Sequence, residues 1–104
     1  MQPGSKDRRY YILISGQELI ELKKYTWAMA EAYGLDRKIE KYKGTRPIGF
    51  WKWDLDCLEA VLDDVIKDYP DQNSEGYKAM KNLIGRIDEL IKEAYKEYIL
   101  KYNL

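Results

Sequence analysis

The stretch SEGYKAMKNLIGRIDELIKEAYKEYILKY, residues 74–102, predicts the longest element of the fold. Its apolar residues recur every three or four positions, as they do on one face of an α-helix. Such a helix is a rod of roughly 40 Å, and Asn73 or Ser74 is expected to cap its start. Gly85 weakens it by about 1 kcal/mol, which a close crossing by another helix would explain. The apolar stripe comprises Met80, Ile84, Ile87, Ile91, Ala94 and Tyr98, widened by Leu83, Leu90, Tyr95, Ile99 and Tyr102.

A second amphipathic helix is predicted over residues 54–69, where Pro70 ends it. Asp54 is the predicted N-cap residue. With that N-cap, Trp53 and Leu58 occupy the two positions of a hydrophobic staple. The predicted apolar face consists of Leu55, Leu58, Leu62, Val65, Ile66 and Tyr69.

A first helix is predicted over residues 15–33, ended by Gly34 as the residue after its C-cap. Ser15 and Glu18 have the spacing of a capping box, and Ile14 and Leu19 that of a second hydrophobic staple. The apolar face is predicted to contain Leu19, Leu22, Thr26, Met29 and Tyr33.

The run YYILI, residues 10–14, could be a strand or a buried helix by periodicity alone, and the capping box that follows favours a strand. It could form a short β-hairpin with residues 48–53, which would have to pack on the helices to be stable. Residues 1–9 are polar and are expected to be a flexible arm. The predicted fold is therefore a mainly α, small three-helix bundle with a long aromatic-rich connection, forming one helical domain over residues 10–104.

The composition excludes several classes of function. Eighteen basic residues balance eighteen acidic ones, which argues against a general nucleic-acid binder. The sequence has no histidine and a single cysteine, Cys57, so neither a Cys-His nucleophile nor an internal disulfide can form. No apolar run approaches about 18 residues and no signal core is visible, so a cytoplasmic location is expected. We expect no enzyme activity, no cofactor and no metal.

Charge is nevertheless divided along the chain. Residues 35–53 contain six basic and two acidic residues, which gives +4, whereas residues 54–76 contain one basic and eight acidic residues, which gives −7. Tryptophan, tyrosine and arginine dominate interface hot spots, so the basic and aromatic loop 37–53 is predicted to bind a protein partner. The predicted partner-binding residues are Arg46, Phe50, Trp51, Lys52, Tyr42 and Lys43.

Two other interpretations of this loop remain open. Its aromatic residues could fold back over the bundle as a cover, with Trp53 held as a staple. Alternatively, the loop could clamp a phosphate and stack a base, which would make the protein a binder of nucleic acid or of an anionic ligand. Our leading hypothesis is a small non-catalytic interaction or regulatory module, and a nucleic-acid partner is not expected.

A carboxylate row on the second predicted helix offers a further alternative. Asp56, Glu59 and Asp63 could hold Mg²⁺, and together with Glu18 and Glu21 they resemble part of the pattern of the all-α nucleoside triphosphate pyrophosphatases of the MazG type. That family pairs Glu-x-x-Glu with Glu-x-x-Asp, and here an apolar residue stands three positions after Glu59. The sequence is therefore assigned to no family, and a magnesium-dependent phosphohydrolase is kept only as an alternative.

The last predicted helix also suggests self-association. Its apolar positions cover more than the usual stripe of about 100°, and two shorter helices would not cover its whole length. We therefore expect a homodimer formed through residues 74–102.

Overall fold

The computed structural model describes residues 9–29 and 34–102. Within these ranges the chain forms four α-helices and one two-stranded antiparallel sheet, so the predicted mainly α fold with a small β pair is confirmed. Most of the predicted arm, residues 1–8, lies outside the described residues. In chain order the elements are β1 (Tyr10–Ile12), α1 (Gly16–Lys23), a 3₁₀ helix (Thr26–Met29), α2 (Leu35–Lys41), β2 (Ile48–Phe50), α3 (Lys52–Lys67) and α4 (Glu75–Tyr102).

The long helix α4 forms as predicted. The Ser74 hydroxyl accepts the Tyr77 backbone N–H at 3.2 Å, which confirms Ser74 as the capping residue. The longest dimension of the molecule, 44 Å, agrees with the rod expected for this helix. Its inner face belongs to the hydrophobic core through the fully or nearly buried side chains of Met80, Leu83, Ile87 and Ala94.

Two details of α4 differ from the prediction. Gly85 is exposed, and a Cβ atom there would meet nothing within 4 Å, so no helix of the described ranges crosses at this point. Tyr95 and Leu100 are 59% and 80% exposed, while Leu83 is buried. Tyr95 and Leu100 therefore leave apolar surface that a dimer could cover, whereas Leu83 is already used in the core, and the homodimer stays a prediction.

The start of α3 corrects the predicted N-cap. The helix begins at Lys52 with Trp51 as N-cap, and Asp54 is its third residue. The Asp54 carboxylate accepts the Trp51 backbone N–H at 3.0 Å, as the third residue of a capping box does. The staple positions therefore fall on Phe50 and Leu55, both fully buried, rather than on Trp53. The shift arises because β2 leads into the helix with only one residue between them.

The start of α1 is predicted correctly, but its end is not. Ser15 is the N-cap residue, yet its side chain makes no cap hydrogen bond. Glu18 does not complete a capping box, because its carboxylate accepts from Arg86 and Asn82 of α4, each at 2.6 Å. The helix ends at Lys23 instead of continuing to residue 33.

The cause of this early end is a tightening of the backbone. The N–H groups of Lys24, Tyr25 and Ala28 donate to carbonyls three residues back, at 3.0–3.1 Å, and the chain enters the 3₁₀ helix. Aromatic and β-branched residues in this segment favour the α-helix less than the preceding ones do. Of the predicted face, Leu19, Leu22 and Met29 are buried and Thr26 is half-buried, while Tyr33 lies outside the described residues.

The connection expected over residues 35–53 contains a helix of its own. Gly34 has a φ of 78° and serves as the N-cap residue of α2, not as the end of a longer helix. Leu35 and Ile39, one turn apart, are both buried in the core. The predicted pairing of the two short strands is confirmed, with Tyr10 opposite Phe50 and Ile12 opposite Ile48.

A buried carboxylate joins α1 to the end of α3 and the start of α4. Glu21 is buried and accepts hydrogen bonds from Tyr69 and Lys24 at 2.7 Å and from Gln17 at 3.2 Å. Burial acts to raise the pKa of Glu21, but these donors outweigh it and lower the pKa below its ordinary value. A Cβ atom at Gly76 would collide with the Tyr69 hydroxyl and the Glu21 carboxyl group, so a larger residue here would displace this hydrogen-bonded pair.

Candidate partner-binding site

A concave pocket of about 470 Å³ lies between the end of α2 and the start of β2. Two of its cationic residues, Lys38 and Lys41, are separated by three positions on α2 and therefore face the same side of that helix. Two others, Lys43 and Arg46, stand on the loop that leads to β2. We call this the basic pocket; it is lined by Lys38, Lys41, Tyr42, Lys43, Thr45, Arg46, Pro47 and Ile48.

The loop of the basic pocket is held in place by Tyr42. The Ile14 backbone N–H donates to the Tyr42 hydroxyl at 3.3 Å, and that hydroxyl donates to the Arg46 carbonyl oxygen at 2.6 Å. At Gly44, where φ is 75°, a Cβ atom would lie 2.9 Å from the side chain of Leu19. The loop therefore lies directly against the start of α1, and its conformation depends on glycine and on the tyrosine hydroxyl.

The charge of the basic pocket is unbalanced. Lys41, Lys43 and Arg46 are exposed, and their side chains form no ion pair or hydrogen bond with another described residue. No carboxylate is among the lining residues. Cations without a partner raise the local positive potential, and this potential attracts an anionic group.

Lys38 differs from the other three cations because it is half-buried. Its ammonium donates to the Gly49 carbonyl oxygen and lies 5.5 Å from the centre of the Phe50 ring. Burial lowers the pKa of Lys38, although the charge of Asp54 acts in the opposite direction. Burial likewise raises the pKa of Asp54, opposed by the Trp51 N–H and by Lys38. This part of the pocket is therefore a fixed polar floor rather than a mobile contact.

The aromatic residues that follow the basic pocket do not line it. Phe50 is 0% exposed and packs in the core, as expected if the loop folds back over the bundle. It therefore has no surface with which to contact a partner. Trp51 and Trp53 are half-buried and stack on each other, with ring centres 5.6 Å apart and planes inclined by 18°. The guanidinium of Arg9 lies 5.0 Å from the centre of the Trp51 ring. These aromatic surfaces are thus partly used within the protein.

Lys52 is also separate from the basic pocket. Its ammonium forms an ion pair with Asp56 one turn further along α3, at 3.1 Å. Of the six predicted partner-binding residues, the structure brings only Tyr42, Lys43 and Arg46 together in the pocket.

Sequence analysis did not single out Lys38 and Lys41 as binding residues. The available signal was their spacing of three positions between two apolar residues, Leu35 and Tyr42, which is compatible with one short helix. A helix of seven residues with a glycine N-cap gives too weak a pattern to recognise against the surrounding loop.

The carboxylate row does not gather into a cluster. Asp56 is paired with Lys52, Asp63 is exposed, and Glu59 interacts with Asp88 of α4. Burial, followed by the hydrogen bond and negative charge of Asp88, raises the pKa of Glu59. Among the residues that the structure describes, no group of three or more potential ligands is arranged to hold a metal ion.

Comparisons with known proteins add no family to this description. A scan against protein-family models and searches of curated proteins and of solved structures found no match. Within the described part of the chain, no helix has the length and apolar character needed to cross a membrane.

Proposed function

We propose that this protein is a small interaction module that binds an acidic segment of a partner protein in the basic pocket. The observation that carries the proposal is the composition of the pocket. Four cationic side chains line it, no carboxylate does, and three of the four cations have no partner among the described residues. Each of these three cations is able to pair with a carboxylate of the partner protein.

The remaining walls favour a polypeptide as the bound molecule. Tyr42, Pro47 and Ile48 contribute apolar surface next to the charged groups. A protein segment can combine carboxylates with an apolar side chain, and such mixed contacts are typical of specific interfaces. A single-stranded nucleic acid would instead need open aromatic faces for stacking, and Trp51 already stacks with Trp53 and contacts Arg9.

Binding without catalysis is the activity that these residues support. The sequence contains no histidine, and the exposed charged groups of the basic pocket are lysine and arginine side chains. The pocket is therefore suited to hold an anionic group rather than to transfer its protons.

Calorimetric titration with a synthetic acidic peptide tests the proposal. The probe carries several glutamates around one central phenylalanine, and a peptide with glutamine in place of glutamate serves as its neutral counterpart. The wild-type protein should bind only the acidic peptide. The triple variant Lys41→Gln, Lys43→Gln, Arg46→Gln should bind it about 3- to 140-fold more weakly, because each exposed ion pair contributes about 0.2–1 kcal/mol.

A charge-matched variant separates the pocket from overall charge. Lys67→Gln, Lys78→Gln and Lys81→Gln remove three exposed cations outside the pocket and should leave the affinity nearly unchanged. If both triple variants weakened binding equally, the loss of affinity would be due to the change in net charge, and the proposal would be contradicted. Stronger binding of a mixed single-stranded oligonucleotide than of the peptide would favour the nucleic-acid alternative instead.

A further inference from the structure

A second concave surface lies between the 3₁₀ helix and α3, and its charged residues are acidic, in contrast to those of the basic pocket. Its volume is about 480 Å³, and we call it the acidic groove. Residues 60, 61, 64 and 65 of α3 line it together with Asp68, the C-cap residue of that helix, and this spacing forms a continuous stripe along one face. The eight steps from residue 60 to residue 68, at ~1.5 Å each, give the groove a length of about 12 Å, roughly two helical turns.

An exposed tryptophan forms one wall of the acidic groove. Trp27 is 78% exposed, more than any other aromatic residue whose side chain the structure describes. Val61 and Val65 of α3 are half-buried and provide apolar surface on the opposite side. An exposed tryptophan beside a concave apolar surface is typical of a site that an apolar side chain occupies.

Two carboxylates stand on the same groove. Asp64 lies in the last turn of α3, and Asp68, four positions later, is the C-cap residue of that helix, so the two carboxylates are neighbours at its end. Both are exposed, and neither side chain forms an ion pair or hydrogen bond with another described residue. The lining residues include no cation. The groove therefore combines an apolar floor with a negative rim.

The charge of the rim decides between the possible occupants. If two copies of this chain met symmetrically through the groove, each copy would bring the same patch, and the carboxylates of Asp64 and Asp68 would face like charges. A segment with lysine or arginine on both sides of an apolar residue would pair with these carboxylates and fill the space beside Trp27.

We propose that the acidic groove is a second docking site, which binds a short cationic amphipathic segment of another protein. This proposal does not depend on the function proposed for the basic pocket, because the two surfaces share no lining residue. The protein would then hold two partner segments of opposite charge.

Nuclear magnetic resonance with a defined probe tests the inference. The probe is an amphipathic helical peptide of leucine and lysine, and the same peptide with glutamate in place of lysine is its counterpart. The three tryptophans give separate indole N–H signals, so each can be followed independently. The lysine peptide should shift the Trp27 signal in a saturable manner and leave those of Trp51 and Trp53 nearly in place, whereas the glutamate peptide should shift none.

Substitutions in the groove distinguish docking from general attraction. Asp64→Asn with Asp68→Asn should weaken binding of the lysine peptide about 2- to 30-fold, the sum expected for two exposed ion pairs. Trp27→Ala should weaken it about 30-fold, as expected for an interface hot spot. Because Trp27 is largely exposed, its removal should not unfold the protein.

The matched control removes two exposed carboxylates outside the groove, by Asp63→Asn with Glu89→Gln, and should leave the affinity unchanged. Equal weakening by this control, or a response to the glutamate peptide, would overturn the inference. It would also be overturned if the free protein dimerised and Trp27→Ala abolished the dimer, because a second copy would then be the occupant.

Discussion

Replacing Tyr42 by phenylalanine tests whether one hydroxyl holds the basic pocket together. The change keeps the ring that packs against the core and removes only the oxygen atom. It therefore eliminates the hydrogen bond from the Ile14 N–H and the one to the Arg46 carbonyl. The loop that carries Lys43 and Arg46 would lose its attachment to the start of α1.

The magnitude follows from the surroundings of the two bonds. Ile14 is fully buried, so its N–H would lose a partner that water does not easily replace, at a cost of about 1–3 kcal/mol. Arg46 is exposed, and water can hydrogen-bond to its carbonyl at little cost. For a chain of this length we expect the melting temperature to fall by about 4–12 °C.

Thermal melts followed by circular dichroism measure the loss, and Tyr95→Phe is the matched control. Tyr95 is exposed and makes no hydrogen bond with another described residue, so the same chemical change there should leave the melting temperature unchanged. The Tyr42→Phe variant should also bind the acidic peptide several-fold more weakly at a temperature where it remains folded. Unchanged stability and unchanged binding would refute the assignment of Tyr42 as the residue that fixes the loop.

Further predictions concern the two helix glycines, one carboxylate pair and self-association. Gly76→Ala should lower the free energy of unfolding by about 1–3 kcal/mol in urea denaturation, because its Cβ would collide with the Tyr69 hydroxyl. Gly85→Ala, in open space, should raise the free energy of unfolding by up to about 1 kcal/mol. A stabilising Gly76→Ala would contradict the packing described. Glu59→Gln should stabilise the protein at neutral pH. Burial, followed by the neighbouring Asp88, raises the pKa of Glu59, so its ionised side chain reduces stability as the pH rises through its titration. The gain should therefore fade in acid melts, and a gain independent of pH would argue against the raised pKa. Light scattering at high micromolar concentration should give the mass of a dimer formed through the exposed apolar part of α4, and a clean monomer mass would remove that prediction.

The sequence predicted best those elements whose signals are local. Ser74 caps α4 because its hydroxyl reaches a backbone N–H three residues on, an arrangement that depends on no distant group. The first strand could be predicted because the apolar run 10–14 directly precedes Ser15, the N-cap residue of α1. In the confirmed sheet Ile12 lies opposite Ile48. Asp54 shows the limit of this reasoning, since a carboxylate at the N-cap and one at the third helical position look alike until the strand before them is placed.

The misses arise where a distant residue changes the local preference. Glu18 has the spacing of a capping box, but Arg86 from α4 takes its carboxylate at 2.6 Å. Phe50 was grouped with the binding residues because it stands in the basic and aromatic loop 37–53, and only the tertiary packing shows that it is buried. The positive charge of the loop could be read from the sequence. Only the fold shows that Lys38 joins the basic pocket, whereas Lys52 lies outside it and pairs with Asp56.

The most direct test of binding in the basic pocket is a map of backbone amide shifts on titration with the acidic peptide. The proposed function predicts that the largest shifts fall on residues 41–47, with saturation at the affinity found by calorimetry. It also predicts small shifts at Trp51 and Lys52, which lie outside the pocket. Large shifts centred on the start of α3, with residues 41–47 unaffected, would contradict the account.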